Sequence, residues 1–453
     1  MNSIKLYNTL SKKKEEFKPI KKGEVGIYNC GPTVYDTPHI GNYRTFVMDD
    51  LIRRVFEYDG YKVRQVMNIT DVDDKTIRKS REANVPLKSV TAKYEELFLA
   101  GLKSLNILMP ENMLRATDNI PAMTKLIGDL VNKGFAYVAK DGVYLHVDKV
   151  KNYGELAGIK LDAQDSRERI TNDEYDKENT SDFALWKFKS AEDGDAFWPS
   201  SFGEGRPGWH IECSAMSMEV LGSTIDIHTG GIDLMFPHHT NEIAQSESAT
   251  GATFVNYWVH GGFMTIADEK MSKSKGNFIK IEDLIHEDLS PISFRYWLLT
   301  AHYRSPINFT KEAVQGAQNA LIRFIGVVSN YPEGGKIIPS YKVKFEAFIY
   351  DDFDTAKAIA LSWDLLKDSS HSPEDKRATI LDFDRVFGLG IEHVKNVPIE
   401  AIPDDVIALA EARQLARTEK DWVKADALRL EIESRGYEIK DTSEGYAIRS
   451  KSA

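Results

Sequence analysis

A strand–helix–strand pattern over residues 24–69 constrains the fold more than any other feature of the chain. Residues 24–30, EVGIYNC, carry alternating apolar side chains and predict a buried strand. After a loop, Val47, Leu51 and Val55 recur at the four-residue spacing of a helix face. Residues 62–69, KVRQVMNI, return to a strand pattern. Short links make the two strands parallel, so we predict the start of a Rossmann-like sheet.

The remaining sequence adds an insertion and then changes character. Residues 120–197 combine a short β segment at 143–147 with a long polar stretch, which predicts an exposed insertion. Strand patterns resume at 223–231 and 254–263, and from about residue 310 helical patterns dominate. We therefore predict an α/β Rossmann-like core with an α+β insertion, followed by a mostly α-helical carboxyl-terminal half with a small terminal domain.

Composition excludes several classes of protein. The 453 residues are enough for about three domains. The sequence has no run of ~18 uncharged apolar residues, which excludes a membrane-spanning helix, and its first residues do not resemble a secretory signal. Two cysteines cannot form a disulfide framework, so we expect a reducing cytoplasm. A net charge of -11 argues against general coating of nucleic acid, although a local basic region can still bind it.

Two short motifs carry the first indications of chemistry. The segment PHIGN, residues 38–42, lies at the predicted junction of the first strand and helix, where parallel sheets bind ligands and helix amino termini attract phosphate. His39 there can donate a hydrogen bond to phosphate. Residues 270–277, KMSKSKGN, offer lysines that can neutralise a pyrophosphate group. Each motif alone is more often an ordinary loop, whereas the two in this order indicate nucleotide chemistry.

Two cysteines, a histidine and a glutamate form a candidate metal site. His238 and Glu242 are four residues apart and would share one helix face. With Cys30 and Cys213 they supply thiolate, imidazole and carboxylate ligands, a set that suits zinc. From spacing alone, these residues can also be ordinary structural residues that bind no metal. An isolated cysteine is most often a small buried hydrophobe, and such a His–Glu pair is often a surface pair.

The two nucleotide motifs resemble the signatures of the class I aminoacyl-tRNA synthetases. Residues 270–274 match the second signature at every position, whereas Asn42 replaces the second histidine of the first signature. The segments YNCGPTVYD, NITDVDDK, GRPGWHIECSAM and LMFPHHTNEIAQSE are similar to the cysteinyl-tRNA synthetase family, and this similarity runs through nearly the whole chain. It implies activation of L-cysteine by ATP and transfer of cysteine to the 3′-terminal adenosine of its tRNA.

The resemblance also implies roles for individual residues. One Zn²⁺ per chain is expected on Cys30, Cys213, His238 and Glu242. ATP, with Mg²⁺, is expected at His39, Gly41, Asn42, Lys270, Met271, Ser272, Lys273 and Ser274. The expected catalytic residues are His39, Asn42, Lys270 and Lys273. The substrate is expected to contact Gly31, Thr70, Trp209 and Asp233.

Several residues keep a second interpretation from sequence. The sequence pattern by itself predicts that Trp209 is a core residue and that Asp233 forms a turn. His228 is either a nucleotide contact or a buried histidine. Four residues are candidates for stacking on tRNA bases: Arg413, Arg417, Trp422 and Arg429. The sequence favours none of them over the others.

A metal centre also has a chemical reason in a cysteine-selective pocket. A pocket that relies on shape rejects a near-isostere by only ~10²-fold, and serine differs from cysteine by one atom. A soft metal ion binds the substrate as thiolate and a hydroxyl only weakly. Such selectivity makes a separate editing domain unnecessary.

The resemblance implies a domain order and a set of partners. The Rossmann-like catalytic domain is expected at 1–119 and 198–252, the connective insertion at 120–197, a stem-contact region with the KMSKS loop at 253–325, a helical bundle at 326–392 and an anticodon-binding domain at 393–453. The expected protein is a cytoplasmic monomer that binds ATP, L-cysteine and the cysteine tRNA, and no membrane. Two rivals are a ligase that passes cysteine to a small amine, as in the mycothiol pathway, and a non-catalytic regulator that binds tRNA or zinc.

Overall fold

The computed structural model describes residues 3–159, 182–266, 269–270, 278–393, 404–419, 421–442 and 445–450. The strands are β1 Lys5–Asn8, β2 Lys13–Glu16, β3 Glu24–Asn29, β4 Lys62–Ile69, β5 Asn112–Arg115, β6 Ala136–Val138, β7 Gly142–Leu145, β8 Phe183–Phe188, β9 Gly205–Pro207, β10 Ile225–Gly231, β11 Val255–Gly261, β12 Met264–Ile266, β13 Glu269–Lys270, β14 Ile307–Phe309, β15 Tyr437–Thr442 and β16 Gly445–Ser450. The helices are α1 Ile40–Tyr58, α2 Asp74–Ala83, α3 Leu87–Ser104, α4 Ile120–Asn132, α5 Trp209–Leu221, α6 His238–Thr250, α7 Ile281–His286, α8 Pro291–Leu299, α9 Lys311–Ser329, α10 Pro339–Ile349, α11 Thr355–Lys367, α12 Pro373–Phe387, α13 Asp404–Thr418 and α14 Trp422–Ser434.

A five-stranded parallel sheet forms the centre of the first of two compact units, residues 1–394. Its strands lie in the order β11–β10–β3–β4–β5, and every neighbouring pair is parallel. The elements β3, α1 and β4 are the strand–helix–strand unit predicted from sequence, so the Rossmann-like core is confirmed. Strand order reverses between β3 and β10, and ligands of such sheets bind at the carboxyl ends of strands at this reversal.

Helix α1 is held against the sheet by apolar packing and by a buried ion network. The predicted face residues Val47, Leu51 and Val55 are all buried. On the same helix, Asp50 accepts hydrogen bonds from Arg54 at 2.7 Å and from the fully buried Arg295 of α8. Satisfied charges of this kind fix the position of a helix because a buried charge left without a partner is strongly destabilising. The network therefore ties the middle of α1 to α8.

The insertion has the predicted α+β character. Helix α4 precedes a four-stranded antiparallel sheet with strand order β6–β7–β8–β9. Strand β9 lies past residue 197, where the sequence places the end of the insertion. Residues 160–181, which contain most of the polar stretch, lie outside the described residues.

Helices dominate the part of the chain after β14, as predicted. Helices α9 to α12 follow one another, and the segment YPEGGK, residues 331–336, lies between α9 and α10. In the described part of the chain, no helix is long and apolar enough to cross a membrane.

The second unit, residues 395–453, has its own small core. Helices α13 and α14 pack with an antiparallel hairpin of β15 and β16. The buried residues of its hydrophobic cluster are Val406, Ala410, Ile432 and Ile439.

Candidate active site and metal centre

A cleft opens at the carboxyl ends of β3 and β10, where the strand order reverses. Its volume is about 420 Å³, a size typical of small-molecule sites. Its walls come from the loop after β3, the first turn of α1, the starts of α2 and α5, and the turn after β10. Of the residues predicted to bind nucleotide or substrate, it brings together Gly31, His39, Asn42, Trp209 and Asp233.

His39 and Asn42 form the amino-terminal cap of α1. The Asn42 backbone N–H donates to His39 Nδ1, and the His39 backbone N–H donates to Asn42 Oδ1, each at 3.1 Å. This reciprocal pair is a capping box, which satisfies backbone groups that a helix start leaves without partners. The cap does not use the amide N–H₂ of Asn42. Gly41 lies within the first helical turn and does not line the cleft.

The segment after the lysine-rich motif contacts this cap. The Phe278 ring lies edge-on to the His39 imidazole, with 5.0 Å between ring centres, and the backbones of His39 and Lys280 form an antiparallel bridge. Lys270 ends the short strand β13. The rest of the signature lies outside the described residues, so its roles remain predictions for Met271, Ser272, Lys273 and Ser274.

The four predicted metal ligands meet beside the cleft. Sγ of Cys213 lies 3.4 Å from Nε2 of His238 and 3.9 Å from Sγ of Cys30. Oε1 of Glu242 lies 3.2 Å from Nε2 of His238 and 3.8 Å from Sγ of Cys30. All four residues are buried. Ligands at 2.0–2.3 Å from a tetrahedral zinc ion stand about 3.3–3.8 Å apart, so the cluster has the dimensions of a zinc site.

Two further histidines lie against this cluster. Nε2 of His228 lies 2.9 Å from Oε2 of Glu242, and Nε2 of His239 lies 3.4 Å from Sγ of Cys30. With Cys30 and Glu242 they form a second, overlapping group of potential metal ligands. His228 is fully buried, so it is a buried histidine and not part of the cleft lining. No sequence pattern indicates His239 as a ligand beyond its place next to His238.

Burial sets the charge states in the cluster. It lowers the pKa of His238 to about 3 and moves the pKa of His239 well below its usual value, so both imidazoles are neutral and able to bind a cation. It raises the pKa of the Cys30 and Cys213 thiols, because a thiolate is unfavourable in a dry interior. Coordination to a metal ion reverses that preference by deprotonating the thiol. The donor set therefore fits a thiol-binding metal ion.

Trp209 lines the cleft and contacts a residue of the cluster. The Trp209 side chain is 38% exposed, and its ring centre lies 4.3 Å from that of His238. Trp209 is therefore neither a core residue nor remote from the predicted ligands. Asp233 lies in the short turn that follows β10, and it also lines the cleft.

Thr70 and Gly31 follow the carboxyl ends of β4 and β3. The Gly31 N–H donates to Asn68 Oδ1 at 2.8 Å. Thr70 is buried, donates its hydroxyl to Glu212 at 2.7 Å and does not line the cleft. Its predicted contact with substrate stays a prediction. Sequence patterns gave no indication of Glu212, a fully buried carboxylate whose pKa burial raises well above its usual value.

A buried polar network supports the end of β3. The Asn29 amide donates to the Thr229 hydroxyl, which in turn donates to Asp49 Oδ1, both at 2.6 Å. Asn29 immediately precedes Cys30, so the network fixes the strand end that carries this ligand. The three residues lie on β3, β10 and α1, and only the strand order brings them together.

Asp49→Asn is expected to change how stability depends on pH. Burial raises the pKa of Asp49 to about 7 from an ordinary value of 3.8. Between these values the folded chain keeps a proton that the unfolded chain releases, so the stabilisation is present at low pH and is lost as pH rises through about 7. Asparagine does not titrate and lacks this decline. Urea unfolding at about pH 5.5 and pH 8 measures the difference, and identical pH profiles for both proteins would contradict it.

Comparison with known proteins places this arrangement in a family. The model of the class I (C) tRNA synthetase catalytic domain matches residues 16–319. The chain is 43% identical to the cysteine–tRNA ligase of Brachyspira hyodysenteriae, with 100% of both chains covered. It is 42% identical to that of Chlamydia caviae, over 98% of this chain and 97% of the other, and 40% identical to that of Methanosarcina mazei, over 98% and 99%.

Solved structures show the same fold at lower identity. Mycobacterium tuberculosis methionyl-tRNA synthetase in complex with methionyl-adenylate matches with a TM-score of 0.57 and 16% identity, over 81% of this chain and 90% of that one. A LeuRS of Agrobacterium radiobacter in a ternary complex with tRNA matches with a TM-score of 0.57 and 12% identity, over 83% and 85%. With the full-length relatives, these matches show that the chain belongs to the cysteine–tRNA ligase family of class I tRNA synthetases.

Proposed function

We propose that this chain activates L-cysteine with ATP, releases pyrophosphate, and transfers cysteine to the 3′-terminal adenosine of the cysteine tRNA. One observation carries the proposal: Cys30 belongs both to the buried metal cluster and to the lining of the cleft that contains His39 and Asn42. A thiol bound at the cluster therefore lies beside the nucleotide end of the cleft. Relatives of the same length that are cysteine–tRNA ligases favour this function over a ligase that uses a small amine.

We propose one Zn²⁺ per chain on Cys30, Cys213, His238 and Glu242. Two thiolates, an imidazole and a carboxylate are ligands that zinc prefers, and the separations between these atoms suit a tetrahedral site. When bound, the ion would make the site selective for cysteine over serine, because a substrate thiolate is a far better ligand than a serine hydroxyl.

The protein's own residues then orient cysteine for reaction. We propose that Asp233 pairs with the substrate ammonium group and that the Trp209 ring forms the side wall next to the cluster. With the sulfur and the ammonium group both fixed, the carboxylate is directed toward the start of α1. This orientation supplies the positioning on which a displacement between two bound reactants depends.

The chemistry consists of two displacements. A carboxylate oxygen of cysteine attacks the α-phosphorus of ATP, the bond from that phosphorus to the bridging oxygen breaks, and pyrophosphate leaves. Mg²⁺ carried by ATP would neutralise part of the pyrophosphate charge. His39 and Asn42 hold phosphate oxygens, while Lys270 and Lys273 stabilise the leaving pyrophosphate. The 2′-hydroxyl of the tRNA terminus then attacks the acyl carbon and loses its proton, the bond from that carbon to the AMP oxygen breaks, and AMP leaves.

The second unit supplies the proposed anticodon-binding surface. Trp422 is 55% exposed, and the Arg417 guanidinium lies 5.5 Å from its ring centre, an arrangement suited to stacking on an unpaired base. Arg413 is buried, and Arg429 pairs with Glu433 at 3.1 Å, so both are poorer candidates. Because the chain carries a net charge of -11, its tRNA affinity depends on local basic groups and falls with salt.

Asn42→Asp separates the capping role of Asn42 from its nucleotide role. Aspartate retains the oxygen that accepts from His39, so the melting temperature should change little. It replaces the amide donor with a negative charge near the phosphates, so cysteine-dependent pyrophosphate exchange should fall about 100-fold. Asn42→Ala, the matched control, loses the cap as well and should also lower stability by about 1 kcal/mol. Normal exchange in Asn42→Asp would exclude the nucleotide role.

Charging of tRNA tests the proposed function directly. Purified protein with ATP, radiolabelled cysteine and the cysteine tRNA should form an ester-linked, alkali-labile cysteinyl-tRNA. Replacing the tRNA by a small amine should give no amide product. Cysteine activation with amide formation and no tRNA charging would instead support the small-amine ligase.

We further propose that the active protein is a cytoplasmic monomer.

A further inference from the structure

We propose that Lys75 binds a phosphate group of the nucleotide substrates in the cleft, an inference that rests on the proposed function. Among the described residues that line the cleft, Lys75 is the one lysine, and there is no arginine. The lining also includes the carboxylates Asp36 and Asp233. A cation on the cleft wall favours a triphosphate held beside these carboxylates, and Lys75 is placed to act in addition to the proposed Lys270 and Lys273.

Lys75 has no carboxylate partner in the described part of the chain. Its neighbour Asp74 is already bound to Lys187 at 3.0 Å and to Arg206. Asp73 is occupied as the cap of α2, where it accepts from the Lys75 backbone N–H at 2.9 Å. The ammonium group of Lys75 is thus an exposed charge that an anionic ligand can approach.

The ring of Tyr35 orients the Lys75 side chain. Nζ of Lys75 lies 5.6 Å from the ring centre, within the range of a cation–π contact. Tyr35 belongs to the loop after β3 and also lines the cleft. The contact therefore keeps the ammonium group at the wall that also includes His39.

The position of Lys75 in the chain also indicates function. Helix α2 begins at Asp74, so Lys75 lies in its first turn. The helix dipole favours anions there and disfavours a lysine. Natural sequences break such local rules mainly where a function requires it. A bound phosphate group would offset the unfavourable charge.

Two substrates carry the chemistry that Lys75 recognises. ATP has a triphosphate, and the tRNA terminus has phosphodiesters that must enter the same cleft for the second step. A lysine binds either as a point charge. Because tRNA takes no part in the proposed activation step, separate assays of the two steps distinguish the sources.

Lys75→Gln tests the inference, with Lys75→Arg and Lys79→Gln alongside. Lys79 lies one helical turn further along α2 and does not line the cleft. Cysteine-dependent pyrophosphate exchange measures activation, and single-turnover transfer from preformed cysteinyl-adenylate measures the tRNA step. Lys75→Gln should lower one of these about 10- to 100-fold, the loss of one charged hydrogen bond. Lower exchange identifies ATP, and lower transfer alone identifies the tRNA. The rates of Lys75→Arg should stay within about threefold of the wild-type rates. Those of Lys79→Gln should match the wild type.

Three results would overturn the inference. Wild-type rates for Lys75→Gln in both assays would show that the ammonium group touches no reacting substrate. Equal losses in Lys75→Gln and Lys75→Arg, together with a lowered melting temperature, would assign Lys75 a structural role beside Tyr35. Absence of exchange in the wild-type protein would contradict the proposed function itself. The wild-type assay therefore separates that failure from a failure of the inference about Lys75.

Discussion

Cys213→Ser is expected to remove zinc and cysteine activation together. Its sulfur lies 3.4 Å from Nε2 of His238 and is buried, so a serine hydroxyl would replace a thiolate at the centre of the cluster. A hydroxyl does not ionise near neutral pH and is a weaker zinc ligand. We expect zinc content to fall from about one per chain to a small fraction. Losing a residue that only supports a metal ligand typically costs about 10- to 100-fold in metal affinity or activity. Loss of a ligand itself should cost more, so the kcat/KM of cysteine-dependent exchange should fall about 100-fold or more.

The same variant distinguishes the two overlapping ligand groups. One group contains Cys213 and His238, and the other replaces them with His228 and His239. If the metal ion occupied the second group, Cys213→Ser would keep its zinc and its activity, which would contradict the proposed site.

Ser217→Ala is the matched control for Cys213→Ser. Ser217 is buried on α5 one turn after Cys213, and its hydroxyl bonds only to a backbone carbonyl of its own helix among described residues. Zinc content and exchange should stay near wild type in this variant. Far-ultraviolet circular dichroism of both proteins shows whether α5 remains folded.

Gly31→Ala is expected to disrupt the cleft and destabilise the fold. A Cβ on residue 31 would lie 1.7 Å from the backbone oxygen of Asn68 and 2.8 Å from its carbonyl carbon. Backbone atoms cannot rotate away as a side chain can, so the ends of β3 and β4 would have to separate. Such overpacking in a well-packed core costs about 1–3 kcal/mol or more. Because Cys30 is the preceding residue, cysteine activation should fall at least about 100-fold.

Gly316→Ala provides the contrasting control. Gly316 lies in α9, and a Cβ there meets no atom within 4 Å. Alanine in a helix interior should raise stability by about 0.5–1 kcal/mol. Urea unfolding and pyrophosphate exchange compare the two variants. Wild-type stability and exchange in Gly31→Ala would show that the close approach to Asn68 is not a constraint on the protein.

The sequence predicted the core of the fold because periodicity is a local property. The spacing of Val47, Leu51 and Val55 determines which face of α1 is buried, and the flanking strands need only their own residues to be recognised. The metal ligands were predictable as residue types within motifs that resemble the family.

Features that depend on strand order and helix rotation could not be predicted. His238 and His239 are neighbours in sequence, yet only the rotation of α6 determines which sulfur each one faces. Asp49 joins Thr229 only because β10 lies beside β3. Lys75 belongs to neither nucleotide signature, and its place in the cleft depends on how α2 meets the loop after β3.

Amino-acid-dependent exchange of pyrophosphate into ATP, run with each of the twenty amino acids beside zinc analysis of the same preparation, tests the central claim most directly. We predict exchange with cysteine alone and about one zinc ion per chain. Exchange with serine or another amino acid would contradict metal-based selection of cysteine. No exchange with cysteine, in protein that is folded and loaded with zinc, would contradict the enzyme itself and favour a regulator that binds tRNA or zinc.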